Sequence, residues 1–465
     1  MHFDRCFCMH QPVFGSDFAI ADLVRAFSNM ANWPQLALLL RPLPPASGDL
    51  SDFRDTDPLL EAHRGIGTAS ARKTFGNVII SVLGAGILGL PFAFKVSGWA
   101  VTSAAITFCG CVSYYSMMLL IKCRIRLANQ EQYQISALGD FGHYTYGSIG
   151  REVVDITQMI SQIGCCVSYL LFIGQNLSSI FIGRTQSCVF IFCLLPFQVF
   201  LAWVRSLAAL APFSIFADVC NVLAMAIVFK DDIDGSLRFD KVKPYTNLSG
   251  TFFGVGVALY CFEGMAMTLS LEASMKKPHK FGKVLGLAFG LIGLLYISFG
   301  FAGYLAYGEQ THDIITLNLP NEWTTVAVKI SLCIALFFTF PVMMHPVYDI
   351  FERKLGMTDW YQKSVSKSPK LRELLSRSLR GLVVLIIGFV AVLVPGFGVF
   401  ISLVGSTVCA LLALVLPAIF HIHIFKDDLG LLEKLVDMFL IVCGIAFAIY
   451  GTYDSFVDIF GSYWQ

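Results

Sequence analysis

Along most of the chain, polar positions are scarce and gather into short clusters that punctuate long apolar runs. A hydrocarbon core about 30 Å thick takes roughly 20 helical residues to cross. Runs of that kind predict helices over 75–98, 101–121, 154–181, 185–204, 207–229, 250–272, 283–307, 325–348, 378–396, 399–421 and 435–455. Residues 381–420 carry no charge and are too many for one crossing. "VPGFG", Val394 to Gly398, divides them, because Pro and Gly together stop a helix. The pattern predicts an all-α polytopic membrane protein with about eleven crossings.

The first crossing is interrupted. Phe75 to Phe94 is uncharged, yet it contains Gly84, Gly86, Gly89 and Pro91. In a bilayer, unwound backbone survives only where protein or a water-filled cavity supplies hydrogen-bond partners. The N-terminus of the second half-helix suits a carboxylate, and the carbonyls ending the first half suit an ammonium group or a cation. Gly84, Ala85, Gly86 and Ile87 are therefore candidate substrate-binding residues. Close helix packing explains the same glycines, since small residues let membrane helices approach.

The sixth crossing reads "GVALYCFEGMAMTLSLEASM", with Glu263 near its centre between Phe262 and Gly264. A carboxylate at bilayer depth costs a few kcal/mol even on the lenient insertion scale, so it usually serves a function. Spans 1 and 6 each open a group of five, and an offset of five reverses direction across the membrane. Paired broken helices in corresponding positions point to a transporter's central site. Phe262, Glu263 and Gly264 join the candidate substrate site. Glu263 has three possible jobs: to carry a coupling proton, to bind a substrate amine, or to bond to the freed backbone of span 1. Asp218, in "SIFADVCNV", is a second intramembrane acid, for proton coupling or for a structural hydrogen bond. Glu272 is expected to meet Lys276 or Lys277 at the interface, and His345 to bond carbonyls loosened by Pro346. His421 and His423 read as interfacial.

Composition agrees with this picture. The chain of 465 residues is 56% hydrophobic and 14% charged, with a mean hydropathy of +0.69. The net charge of +1 gives no reason to expect a nucleic-acid partner. The fourteen cysteines are scattered, many inside apolar runs, and read as small packing residues rather than disulfides. "CFCMH", Cys6 to His10, is a superficial likeness to a metal-ligand cluster; neither metal nor cofactor is expected. Lys and Arg fall mainly on one side of the predicted spans, which places the N-terminus in the cytosol.

Residues 1–70 read as a largely flexible cytosolic tail ahead of a transporter domain at 71–465. The tail has no convincing signal peptide. Its "DTDPLL" sets Asp55 four residues before Leu59 and Leu60, the spacing of an acidic dileucine sorting signal for vacuoles or lysosomes, or simply part of a solvated tail.

Six blocks, in order, carry a resemblance: "TFGNVIISVLGAGILGLPFAFKVSGW", "LAPFSIFADV", "YCFEGMAMTLSLEASMKKP", "GYLAYGEQTHDIITLNLP", "FTFPVMMHPV" and "LVPGFGVFISLVGSTVCALLALVLPA". Across about residues 72 to 455 the chain resembles the amino acid/auxin permease family, most nearly its vacuolar amino acid transporters. That resemblance implies a LeuT-like fold with a 5+5 inverted repeat and one extra helix. It also implies alternating access, with protons and small neutral amino acids as the partners and the vacuolar membrane as the address. Substrate would sit at the broken segments of helices 1 and 6, here Gly84 to Ile87 and Phe262 to Gly264. A plasma-membrane proton symporter and a nutrient-sensing receptor with the same fold are the alternatives. A channel would want charged rings along a pore. An enzyme would want nucleophile–base spacing, which the sequence lacks.

Overall fold

The computed structural model describes residues 67, 69–130, 135–181, 186–204, 207–234, 242–320, 322–356, 358, 361 and 369–463. Within these, the side chains of residues 130, 207–218, 234, 369–370 and 460–463 are outside the description. The tail of residues 1–66, with Asp55, Leu59 and Leu60, lies outside the described residues.

The helices follow the apolar runs. They are α1 (Ala71–Val82), a 3-10 turn (Ala85–Gly89), α2 (Leu90–Ser97), α3 (Trp99–Gln130), α4 (Leu138–Ile180), α5 (Ser187–Ala202) and α6 (Leu207–Asp234). After these come α7 (Leu248–Cys261), α8 (Met265–Ser274), α9 (Phe281–Tyr307), α10 (Trp323–Gly356) and α11 (Pro369–Leu393). The chain closes with α12 (Phe397–Ile424), which contains two π turns, and α13 (Leu431–Tyr463). Every predicted crossing falls on one of these helices. Eight are long and apolar enough to cross a membrane, with α7 and α8 counted together, and the bent pair α1–α2 makes a ninth. The expected eleven is not reached by that measure among the described residues, where α5 is a shorter apolar helix of 16 residues.

Local chemistry sets the boundaries. Ser70 caps α1 by accepting from the Lys73 amide at 3.3 Å, and Asn247 caps α7 by accepting from the Gly250 amide at 2.6 Å. Pro91 in the first turn of α2 has no amide to lose there. The break read from "VPGFG" is where α11 gives way to α12, and the Asp313 carboxylate accepts from the Phe397 amide at 2.8 Å. Gly147, at φ +65°, kinks α4. A side chain rarely adopts that backbone conformation.

The broken spans pack together. α7 lies against α2, α3 and α12, while α9 lies against α1, α2 and α3. A second set forms around α10, which packs on α4 and α6. At one end, the segment before α1 is strapped to the end of α8. Ala69 donates to the Ser274 carbonyl at 3.0 Å and accepts from the Lys276 amide at 2.9 Å. At the other end, the 308–320 loop is pinned by Asp313 and by Thr316, whose hydroxyl donates to Asn176 of α4 at 2.6 Å.

Several charges sit elsewhere than the sequence suggested. Glu272 pairs with Arg124 of α3, not with Lys276 or Lys277, because the turn of α8 that carries it faces inward. His345 pairs with Asp349 one turn on, at 3.1 Å. His421 is buried against a neighbouring helix: it is 2% exposed, and its Nδ1 lies 2.6 Å from the buried Asp437 of α13. Lys329 is buried inside α10 and donates to Ser179 of α4 at 3.2 Å. The cysteines of the described residues are all unbridged.

Candidate functional site

Both predicted breaks are present. α1 ends at Val82; Leu83 and Gly84 are extended, and helix resumes through the 3-10 turn with a bend of 49°. α7 ends at Cys261, and Phe262, Glu263 and Gly264 leave the helix before α8 starts. Neither Gly84 nor Gly264 provides a side-chain cap for the helix that follows.

The two breaks meet at one atom. The Tyr296 hydroxyl of α9 lies 3.0 Å from the Val82 carbonyl and 3.0 Å from the Cys261 carbonyl. These are the last residues of the two first half-helices, whose carbonyls have lost their helical partners. One hydroxyl carries one proton, so the two acceptors share it. The sequence reading passed over Tyr296; its signal was a lone hydroxyl-bearing aromatic in the apolar run "LIGLLYISFG". The Phe262 ring packs against Tyr296 and Phe289, with centroids 5.2 and 5.6 Å away. In Tyr296→Phe this ring packing stays, but two buried carbonyls lose their donor. Thermal unfolding of the purified protein should show a loss of about 1–3 kcal/mol. An unchanged melting curve would mean the carbonyls find partners elsewhere.

The expected site residues divide into two groups. Phe262, 1% exposed, and Ile87, 3% exposed, are core residues, as is Ala85. Gly86 is buried, and a Cβ there would stand 2.9 Å from Cys261 Sγ and 3.0 Å from the Tyr260 ring. Its smallness is thus needed where span 1 lies on span 6. Gly264 is similar but looser, its nearest neighbours being Met117 and Val82 at 3.3 and 3.4 Å. Gly84 and Glu263 differ from these. Both are partly accessible, and a Cβ on Gly84 would meet nothing within 4 Å.

Glu263 occupies the open side of the break. Its Oε1 is buried with no hydrogen-bond partner, so it does not bond to the backbone of span 1 through that oxygen. The carboxyl lies within electrostatic reach of Cys165 of α4 and Cys409 of α12. Nearby, Tyr260 donates to Ser168 at 2.6 Å, and Ser168 in turn donates to the Cys165 carbonyl at 2.7 Å. That chain fixes the helix end from which Glu263 projects. Asp218 falls within α6, and its side chain lies outside the described residues.

Residues 67–457 match the model of the family described as transmembrane amino acid transporter protein. The chain belongs to that family. It is similar to Amino acid transporter ANT1 of Arabidopsis thaliana, 43% identical over 91% of this chain and 100% of the relative. Amino acid transporter AVT3C of the same plant is 40% identical, covering 88% of this chain and 94% of the relative. Vacuolar amino acid transporter 3 of Schizosaccharomyces pombe is 26% identical over 86% of this chain and 61% of its own length. Among solved structures, a Na+-coupled sialic acid symporter superposes with a TM-score of 0.51 at 13% identity, over 94% of this chain and 96% of that one. Mhp1, a nucleobase-cation-symport-1 family transporter, gives 0.51 at 10% identity, over 85% and 94%. This family member therefore has a LeuT-like transporter fold, with two broken spans at its centre. It belongs with transporters, not enzymes.

Proposed function

We propose that the protein is a proton-coupled secondary active transporter that carries small neutral amino acids by alternating access. Glu263 carries the reading: an acid beside a broken helix, partly accessible, with one oxygen buried and unpartnered. The substrate carboxylate is held by backbone amides at Gly84 to Ile87, and the amino group lies toward the Phe262 to Gly264 carbonyls and Glu263. Gly84 leaves the open space that such a ligand needs. Small neutral amino acids fit a neighbourhood of Ser168, Tyr260, Cys165 and Cys409 around Glu263.

The proposed address is the vacuolar membrane, with the N-terminus and its tail in the cytosol and net transport toward the cytosol. The fission-yeast relative's name, the acidic dileucine at Asp55, Leu59 and Leu60, and the distribution of Lys and Arg support it. Purified protein in sealed vesicles should accumulate labelled neutral amino acids when an inward proton gradient is imposed. A collapsed gradient should return uptake to the level of empty vesicles. Uptake that ignores the gradient would refute the coupling.

A further inference from the structure

The sequence "FKDDID", Phe229 to Asp234, reads as the start of a solvated loop. The structure instead continues α6 to Asp234 and turns Asp232 inward. Asp232 is 0% exposed, and neither of its carboxyl oxygens has a hydrogen-bond partner. It continues the buried face of Ala224 and Val228. Next to it, Phe229 stacks on Phe299 of α9 with centroids 6.3 Å apart.

Among the described residues no cation forms an ion pair with this acid. The charged group bearing on it among the described residues is another acid, Asp231 of its own helix. From α9, Tyr307 faces it. On α10, the ionisable Lys329 directs its ammonium to Ser179 of α4. Lys243, in the segment after α6, is committed to Glu309 at 2.9 Å. A carboxylate buried beside like charge is costly, and a neutral carboxylic acid in the same place costs far less. A metal ion would need several converging oxygens. Among the described residues no group of three or more acidic, His or Cys side chains provides them.

We propose that Asp232 is a second proton-binding site, separate from Glu263, at the end of the bundle closed by the 308–320 loop. It rests on the proton-coupled reading and adds a station to it. In the proposed orientation this end faces the vacuolar lumen, where protons are abundant. Asp232 takes its proton from that side.

Asp232→Asn tests the assignment, because the amide copies the protonated acid without titrating. In vesicles with the 308–320 end facing a buffer of varied pH, wild-type uptake should rise as that buffer is acidified. The variant should lose this dependence, and its melting temperature at neutral pH should be no lower than wild type. Asp232→Ser serves if the amide variant fails to accumulate. A variant that keeps the wild-type pH profile would overturn the proposal, as would lower stability with the profile unchanged. Glu263→Gln run in parallel separates the two failures. If it loses the drive while Asp232→Asn does not, Asp232 fails and the coupling at Glu263 stands.

Discussion

Vesicles carrying Glu263→Gln should show no accumulation of amino acid when a proton gradient is applied. They should still exchange labelled for unlabelled substrate in the absence of a gradient. The amide keeps the size and shape of the acid beside the broken end of α7, so binding groups and packing are retained. What disappears is a group able to hold a proton in one orientation and lose it in the other. The partner-free Oε1 makes this a clean test, since that oxygen has no hydrogen bond for the change to break. Gradient-driven uptake at the wild-type rate would remove Glu263 from the coupling. Loss of exchange along with drive would instead make it a binding group for the substrate amine.

Gly86→Val should be the most damaging single change at the centre of the molecule. Even the first carbon of the new side chain would meet Cys261 Sγ at 2.9 Å and the Tyr260 ring at 3.0 Å. Tyr260 cannot swing away freely, because its hydroxyl is bonded to Ser168 and the ring is buried. Overpacking of a filled core costs about 1–3 kcal/mol, and a branched side chain at a helix crossing belongs at the upper end. Purified protein should melt earlier and bind labelled substrate poorly. Normal affinity and stability would show that spans 1 and 6 can separate at this point without consequence. The effect is expected through the crossing of the two spans, not through a side chain intruding on bound ligand.

The sequence announced the two breaks because glycine, proline and a lone carboxyl stand out against an apolar background. It announced the division at "VPGFG" for the same reason. It did not reveal which glycine borders open space and which lies under a neighbour. Gly84 and Gly86 are two residues apart and chemically identical, and only the position of Tyr260 and Cys261 distinguishes them. Charges near span ends were the weakest part of the reading. Asp232 reads as a loop residue because the predicted span ends at the last apolar position, Phe229. The structure carries α6 on to Asp234 and buries the Asp232 side chain. His421 and Asp437 could not be paired from the sequence, since their meeting depends on how α13 leans on α12.

Tyr296 has one hydrogen to give and two claimants, one at the end of each first half-helix. Whichever claimant holds it, the other is left wanting, so any shift of either rod changes the terms offered to its counterpart. The halves of the molecule can thus negotiate through a third helix, and the currency is the direction in which a single phenol bond points.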